Sequence, residues 1–338
     1  MSDVSTATEC ALPHGGRLRA AAARYGIALA DWLDLSTGIN PCPWAVPPIP
    51  HSVWRRLPED EDGLSETAQQ YYGAACALPV AGSQAAIRML PAVCADQPLR
   101  VGVLNPMYAE HAYAWRHAGH EVSALAPHAI EAALHTLDVL VVVNPNNPTG
   151  AEFTPETLLD WHARLVARNG WLIVDEAFVD VTPASSLARF SHRAGLIVLR
   201  SLGKFFGLAG ARVGFVLAEK SLLDRLANRL GPWTVAGPAR LAAMQALADR
   251  SWQDAARQRL LRSAPRLAEL LARCDLPPSG GSALFQWVQT PRAAHIHEYL
   301  ARHGILTRLF ATPPGLRFGL PGDEAQWQRL ALALGALR

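Results

Sequence analysis

Five short runs of Val, Ile and Leu constrain the fold of this chain more than any other feature of its sequence. They are Arg100–Leu104, Val139–Val143, Trp171–Val174, Leu196–Leu199 and Val213–Leu217. Apolar residues fill each run without alternating with polar ones, which is typical of strands buried on both faces of a sheet. Longer amphipathic stretches separate the runs. This alternation of strands and helices predicts an α/β fold, with a mostly parallel sheet flanked by helices on both faces.

The end signals of one intervening helix place it at Pro155–Asn169. Thr154 is a suitable N-cap, Pro155 fits the first helical position, and Gly170 can end the helix. A second helix is expected at Gln84–Leu90, directly after a Gly-Ser pair.

The pattern changes after Pro238, where a smaller α+β domain is expected. Its predicted elements are a long helical region at Ala239–Arg273, strands at Ala283–Gln289 and Leu316–Leu320, and helices at Ala293–His303 and Asp323–Leu337. A further short helix is expected at Arg17–Tyr25. With 338 residues, the chain is long enough for two domains. We expect a large domain at 48–235 and a small domain formed by 1–47 together with 236–338.

Composition narrows the class of protein. Half of the residues are hydrophobic, 18% are charged and the formal net charge is only +2, so a globular protein without a nucleic-acid partner is expected. The five cysteines lie at positions 10, 42, 76, 94 and 274. No two of them have Cys-x-x-Cys spacing and their number is odd, which favours reduced thiols in the cytoplasm over a disulfide framework. Neither a signal peptide nor a membrane span is predicted, and the histidines lack metal-ligand spacing.

Polar side chains follow three of the predicted strands. Asn147 comes after the strand at 139–143, Asp175 after the strand at 171–174, and Lys204 after the strand at 196–199. Each alone has an ordinary alternative: Asn147 in a turn, Asp175 as a helix cap, Lys204 on the surface. The carboxyl ends of parallel strands meet at one edge of a sheet, where ligands bind. An amide, a carboxylate and an amine together at that edge predict a site.

These three groups suit pyridoxal phosphate (PLP) as a cofactor. Lys204 can form an imine with its aldehyde, Asp175 can hold the pyridine nitrogen in its protonated state, and Asn147 can donate to the ring oxygen. The phosphate needs amides, hydroxyls and a cation. Gly82, Ser83 and Gln84 open the predicted helix and can offer it backbone amides, while Ser201 and Arg212 complete the cradle.

Three segments resemble the fold-type-I PLP enzymes, which share the aspartate-aminotransferase fold. They are Asn-Pro-Asn-Asn-Pro-Thr-Gly at 144–150, Asp-Glu-Ala-Phe at 175–178, and the block from Arg200 to Phe215 that contains Lys204. Within that family they are similar to the histidinol-phosphate aminotransferase branch, and the resemblance extends from about residue 12 to the end. It implies that Tyr108 stacks on the cofactor and that the protein is a homodimer.

Two N-terminal segments resemble the threonine-phosphate decarboxylases of cobalamin biosynthesis in particular. These are His14-Gly-Gly-Arg and Asp34-Leu-Ser-Thr-Gly-Ile-Asn-Pro. Phe178, where the aminotransferases carry a tyrosine, agrees with them. The resemblance implies decarboxylation of O-phospho-L-threonine to aminopropanol phosphate. It further implies that Arg317 binds the substrate carboxylate and that an N-terminal segment closes over the substrate. The full set of substrate-binding residues that it implies is His14, Gly15, Gly38, Asn147, Arg308 and Arg317.

Two departures and two alternatives accompany this resemblance. Gly38 stands where the decarboxylases have Asn, so its contact would be through the backbone. Leu57 stands where this family often has a tyrosine that reaches the neighbouring subunit's cofactor phosphate.

The first alternative function is an aminotransferase acting on histidinol phosphate or a similar phosphorylated amine or amino acid. The second is a PLP-binding regulator without catalysis, which the presence of Lys204, Asp175 and Asn147 disfavours.

Overall fold

A mixed seven-stranded sheet forms the centre of the protein in the computed structural model, which describes residues 12, 14–95 and 97–337. In chain order the helices and strands are α1 (Leu18–Tyr25), β1 (Leu33–Asp34), α2 (His51–Arg55), α3 (Leu64–Tyr72), β2 (Leu78–Val80), α4 (Ser83–Cys94), β3 (Arg100–Leu104), α5 (Ala109–His117), β4 (Glu121–Leu125), α6 (Ile130–Ala133), β5 (Val139–Val143), α7 (Pro155–Val166), β6 (Trp171–Asp175), β7 (Leu196–Ser201), β8 (Gly214–Leu217), α8 (Lys220–Leu230), α9 (Gly237–Ala248), α10 (Arg250–Arg273), β9 (Gly280–Ser282), β10 (Phe285–Gln289), α11 (Ala293–Arg302), β11 (Ile305–Leu306), β12 (Arg308–Phe310), β13 (Gly315–Gly319) and α12 (Glu324–Gly335).

The strand order in the central sheet is β2-β8-β7-β6-β5-β3-β4. The strands from β7 to β4 are parallel, and β8 runs antiparallel to both β7 and β2. The predicted mostly parallel sheet is therefore confirmed. Its register sets Asp175 level with Val143 on one neighbouring strand and with Leu199 on the other. The polar segments that follow β5, β6 and β7 consequently begin at the same edge.

Apolar residues cover both faces of this sheet. Along β5, Val139 and Val141 belong to one buried cluster, whereas Leu140 and Val142 belong to another. Successive side chains of a strand point to opposite faces, so the run of five apolar residues contributes to both clusters. The first cluster also contains buried residues of α4, α5 and α8. This double burial explains why the run does not alternate.

A second sheet and a short strand pair lie in the rest of the chain. The second sheet is antiparallel, with the order β12-β13-β10-β9. Strand β1 pairs in parallel with β11 through Leu33 and Ile305, which ties the N-terminal segment to the C-terminal part of the chain. The division into domains at 48–235 and at 1–47 with 236–338 stays a prediction, and residues 1–11, 13, 96 and 338 of it lie outside the described structure.

Three sequence predictions about the elements need correction. Helix α7 ends at Val166 rather than Asn169, and Asn169, with a φ of 59°, adopts the left-handed conformation expected of Gly170. The long helical region is two helices, because Asp249 interrupts it and its side chain accepts a hydrogen bond from the Trp252 amide at the start of α10. Six strands were also not predicted: the short strands β1, β2, β9, β11 and β12, and the five-residue strand β4.

None of the helices in the described ranges combines the length and apolarity needed to cross a bilayer. Cys10 lies outside those ranges, and the remaining four cysteines are free thiols.

Candidate active site

The polar edge of the central sheet encloses a cavity of about 150 Å³. Asp175 is the last residue of β6, Ser201 is the last of β7, and Lys204 follows in the next turn. All nine residues predicted to hold the cofactor line this cavity, namely Gly82, Ser83, Gln84, Tyr108, Asn147, Asp175, Ser201, Lys204 and Arg212. Val143, Ala177 and Phe178 line it as well. The structure thus brings the predicted residues together, while their individual roles stay predictions.

The Asp175 carboxylate is buried and held from two sides. Its Oδ1 accepts a hydrogen bond of 3.0 Å from the Ala177 amide, and its Oδ2 lies 2.9 Å from His111 Nε2. His111 is itself buried on α5. His111 was not among the residues predicted from the sequence. Its spacing of three residues from Tyr108 was the only available signal, because that spacing places both on one side of a helical turn.

The Lys204 amine has a pKa lowered to about 8. Burial is the largest cause, followed by the positive charges of Arg317 and, more weakly, Arg212, while the Asp175 carboxylate opposes the shift. The Phe178 ring lies 5.6 Å from Lys204 Nζ. A lysine with this pKa can be neutral near physiological pH, which a nucleophilic amine requires.

The N-terminus of α4 forms the part of the cavity that is suited to a phosphate. Ser83 opens this helix of 12 residues, and Gly82 precedes it with a φ of 73°. A Cβ atom at Gly82 would lie 2.6 Å from Arg212 Nη2, and one at Gly214 would lie 2.4 Å from the Ser83 amide nitrogen. The absence of both side chains leaves room for an anion between the helix amides and the Arg212 guanidinium. The phosphate of PLP fits this cradle.

Arg317 connects the cavity to the N-terminal segment. Its Nη1 donates to Asn147 Oδ1 at 2.5 Å, and its Nη2 donates to the Ser36 carbonyl at 2.8 Å. Since the Asn147 oxygen is occupied, the Asn147 Nδ2 group is the one left to donate into the cavity. This orientation agrees with the expected role of Asn147 as a donor to the cofactor ring oxygen. Burial and the charge of Arg308 lower the Arg317 pKa to about 10, against the opposing effect of Asp34.

A second cavity of about 240 Å³ adjoins the first. It is lined by His14, Gly15 and Arg308 of the predicted substrate set, together with Arg17, Ser36, His297 and Thr307. Two sets of contacts lie between the cavities. The rings of His14 and Tyr108 lie 6.0 Å apart between their centroids, and Arg317 donates hydrogen bonds to both Ser36 and Asn147. Burial, with the charge of Arg17, lowers the Arg308 pKa, and three arginines, Arg17, Arg24 and Arg308, line this cavity.

Gly38 lies against two aromatic rings rather than within either cavity lining. A Cβ atom there would lie 2.9 Å from Phe178 Cε1 and 3.0 Å from Phe285 Cδ1. The two rings make an edge-to-face contact with centroids 5.1 Å apart. An Asn side chain at position 38, as in the resemblance, would need both rings to move. Leu57 is 64% exposed and is absent from the linings of both cavities.

Among the residues that the structure describes, no three His, Cys, Asp or Glu side chains are placed to hold a metal ion.

Comparisons with known proteins agree with this geometry. A profile of the family described as aminotransferase class I and II matches residues 56–334. The threonine-phosphate decarboxylase of Pseudomonas aeruginosa is 62% identical over 96% of this chain and 97% of its own length. The threonine-phosphate decarboxylase of a Sinorhizobium species is 44% identical over 96% and 98%.

Solved structures show the same fold. A histidinol-phosphate aminotransferase from Clostridium acetobutylicum superposes with a TM-score of 0.79 at 20% identity, covering 90% of this chain and 98% of that one. The strand-end cavity, the family profile and the full-length relatives lead to one conclusion: this chain belongs to the aminotransferase class I and II family, in its threonine-phosphate decarboxylase group.

Proposed function

We propose that this protein is a PLP-dependent carboxy-lyase that converts O-phospho-L-threonine into (R)-1-aminopropan-2-yl phosphate, a precursor for cobalamin biosynthesis. The observation that carries the proposal is the pairing of two adjoining cavities. One contains the Lys204 amine, and the other is lined by Arg308 and Arg17. A substrate with an amine, a carboxylate and a phosphate matches this pair. The names of the two full-length relatives support the same substrate.

The residues of the first cavity fit PLP as a bound cofactor. Lys204 would anchor it covalently, Asp175 would hold the ring nitrogen, Asn147 would donate to the ring oxygen and Tyr108 would cover a ring face. Ser83, Ser201 and Arg212 would hold its phosphate. When bound, PLP supplies an aldehyde that captures amines and a ring that takes up the electrons of the bond broken at the α-carbon.

Asp175 and His111 set the charge at one end of the cavity. The buried Asp175 carboxylate faces the cavity with His111 fixed behind it at 2.9 Å. An ionised carboxylate favours a protonated partner, so Asp175 would keep the ring nitrogen protonated. His111 holds Asp175 in place and does not reach the cavity lining itself.

Arg317 and Arg308 would orient the substrate. Arg317 lies between the two cavities, where a carboxylate on the α-carbon would meet it, and Arg308 lies in the second cavity, where the phosphate would bind. Planar guanidinium groups bind both anions with two parallel hydrogen bonds. Fixing both ends of the substrate selects which bond at the α-carbon is held for cleavage. Holding the carboxylate in that position gives decarboxylation, whereas holding the hydrogen there gives transamination.

Lys204 would return a proton to the α-carbon. Its pKa of about 8 allows the amine to take up and release a proton near neutral pH. The Phe178 ring beside it carries no hydroxyl that could compete for this proton.

We also propose that the protein works as a cytoplasmic homodimer. Trp54 and Leu57, both 64% exposed, lie on and just after α2, and Trp233, 58% exposed, lies in the loop that leads into α9. Large apolar side chains exposed in this way favour burial against a second copy. The free state of the described cysteines suits a reducing compartment.

The test of the proposed reaction is the number of turnovers per site without an oxo acid. Decarboxylation needs no second substrate, so PLP-loaded protein with excess O-phospho-L-threonine should release many equivalents of CO₂ per site. An aminotransferase would stop after one turnover until 2-oxoglutarate was added. A contrary result would be a reaction with O-phospho-L-threonine that stops at one equivalent of product per site, while histidinol phosphate is converted in the presence of 2-oxoglutarate. That pair of results would contradict the decarboxylase and support the aminotransferase.

A further inference from the structure

Glu110 is a buried carboxylate that contacts three side chains from two separate segments. It is 5% exposed and lies in the first turn of α5. Its Oε1 lies 2.9 Å from His14 Nε2 in the N-terminal segment. Its Oε2 accepts from Gln84 Nε2 at 2.7 Å and from Arg88 Nη2 at 2.7 Å, both on α4. Burying a carboxylate is costly unless it is paired and hydrogen-bonded, and these contacts meet that need.

The contacts of Glu110 reach both cavities. Gln84 lines the Lys204 cavity, and its Oε1 accepts a hydrogen bond of 3.0 Å from the Tyr108 hydroxyl, which lines the same cavity. His14 lines the second cavity. A continuous path of hydrogen bonds therefore runs from Tyr108 through Gln84 and Glu110 to His14.

His14 depends on Glu110 for its position. The His14 side chain is 42% exposed, so water competes for it, and the Glu110 carboxylate is the partner found 2.9 Å from its Nε2. The adjacent residues are held on their other side by Ser36. Its Oγ accepts from the Gly16 amide at 2.8 Å, and its carbonyl oxygen lies where a Cβ atom on Gly15 would meet it at 2.4 Å. Segment 14–16 is thus fixed between Glu110 and Ser36.

We propose that Glu110 is a positioning residue: it fastens His14, and with it segment 14–16, over the substrate cavity, and it aligns Gln84 and Tyr108 over the cofactor cavity. Because Nε2 of His14 faces Glu110, Nδ1 is the ring atom left for the second cavity. Glu110 then links substrate binding in one cavity to cofactor alignment in the other. Only the identity of the substrate in this proposal rests on the proposed function.

A simpler role would make Glu110 only the counter-ion of Arg88. Arg88 is partly exposed, with 41% of its side chain accessible, and its guanidinium lies 4.4 Å from the centre of the Tyr113 ring. If that pair were the purpose of the carboxylate, losing Arg88 would have the same effect as losing Glu110. The two roles are therefore separable by substitution.

The experiment compares Glu110→Gln, His14→Ala and the double variant as PLP-loaded proteins. Losing a charged hydrogen bond costs about tenfold or more in binding, so each single variant should raise the KM for O-phospho-L-threonine by about that factor and leave kcat within a few-fold. The double variant should be no worse than the more affected single variant, because both remove one interaction. Glu324→Gln is the matched control: Glu324 bonds Arg266 outside the linings of both cavities, and its loss should change KM less than about twofold.

Three results would overturn the proposal. One is an effect of the double variant equal to the product of the single effects, which would make the two residues independent. Another is an Arg88→Met variant that matches Glu110→Gln, which would reduce Glu110 to a counter-ion. The third is an unchanged KM in His14→Ala. Because the His14 side chain is half-exposed, its removal leaves the core intact. This variant therefore decides the question even if Glu110→Gln fails to fold.

Substrate affinity should also be measured from the change in cofactor absorbance on adding O-phospho-L-threonine. This readout does not depend on which bond later breaks. If the variants show the predicted coupling but the products are those of transamination, the role of Glu110 stands and the proposed reaction falls. If CO₂ is released but the coupling is absent, the reaction stands and the role of Glu110 falls.

Discussion

The two lysines of this chain show how the surroundings of a residue decide its chemistry. Lys204 and Lys220 are the only lysines in the sequence. Lys204 is partly buried among cationic neighbours, and its pKa is lowered to about 8. Lys220 is exposed at the start of α8, and its hydrogen bonds to Asp224, at 2.7 and 2.8 Å, raise its pKa. The same side chain is therefore suited to nucleophilic chemistry at one position and to a surface ion pair at the other.

Replacing the two lysines in turn separates these roles. Lys204→Ala should reduce turnover at least about 100-fold, because the cofactor loses its anchor and the α-carbon loses its proton donor. Lys220→Ala is the matched control and should change turnover little. Borohydride reduction followed by peptide mapping should find pyridoxyl phosphate on the peptide containing Lys204. Label on Lys220 instead would contradict the assignment.

The lowered pKa of Lys204 gives a second prediction, for the apoprotein. Only the neutral amine captures an aldehyde, so the rate of PLP capture should rise with pH and level off above about pH 8 rather than near 10. Arg317→Gln removes a positive charge that lowers this pKa, so the midpoint should move to higher pH. Arg189→Gln, whose guanidinium lies over the Phe190 ring, serves as the control. A midpoint that stays in place or falls in Arg317→Gln would refute the electrostatic explanation.

Residues that follow strands were predictable, and residues that meet across helices were not. Asn147, Asp175 and Lys204 could be placed because parallel strands end at a common edge. His111 and Glu110 could not, since their contacts depend on how α5 lies against β6 and α4. Sequence spacing assigns Glu110 only to the first turn of a helix, where an acidic residue is commonplace.

At the scale of elements, buried apolar strands could be predicted, whereas very short or largely exposed ones could not. Strands β3 and β5 have the expected bounds, because runs of four and five consecutive buried residues leave a clear signal, whereas β4, which has five residues, has none that is buried. Strands β1 and β11 have two residues each, and two residues carry no periodicity. They exist because tertiary packing brings the two segments together, and this pairing helps to place the N-terminal segment beside Arg308.

Gly38 tests how closely the elements around Phe178 are packed. Gly38→Ala would place a Cβ atom 2.9 Å from the Phe178 ring and 3.0 Å from the Phe285 ring. The rings would have to shift, at a cost of about 1–3 kcal/mol in the free energy of unfolding. Because Phe178 lies beside the Lys204 amine, we expect kcat/KM to fall about tenfold or more.

Gly210→Ala is the matched control for this substitution, since an added Cβ atom there meets nothing within 4 Å. Its free energy of unfolding should change by less than about 0.5 kcal/mol. Thermal unfolding and steady-state kinetics of the two variants measure both effects. Equal behaviour of Gly38→Ala and Gly210→Ala would show that the aromatic rings yield without consequence.

At the scale of the whole molecule, the two cavities lie where three parts of the chain meet. The edge of the central sheet supplies Lys204 and Asp175 to the first cavity, the N-terminal segment supplies His14 to the second, and the C-terminal part supplies Arg308 to the second. Arg317, also from the C-terminal part, bonds Ser36 and Asn147 between the two. Parallel pairing of β1 with β11 holds the last two parts together.

The exposed apolar residues near α2 predict the oligomeric state. Light scattering after size exclusion should give twice the chain mass for the native protein, because Trp54 and Leu57 are expected to be buried by a second copy. Trp54→Glu should shift the equilibrium towards the monomer. Leu332→Glu, at a position that is 76% exposed on α12, should leave the dimer intact. A native protein that is monomeric at micromolar concentration would disprove the homodimer.

The most direct test of the central claim follows the carboxyl carbon of the substrate. PLP-loaded protein is given O-phospho-L-threonine labelled with ¹³C in its carboxyl group, and the products are identified by mass spectrometry. The proposed function predicts that all of the label leaves as CO₂ and that unlabelled aminopropanol phosphate forms in equal amount. Label retained in a phosphorylated oxo acid would contradict the decarboxylase and leave an aminotransferase in its place.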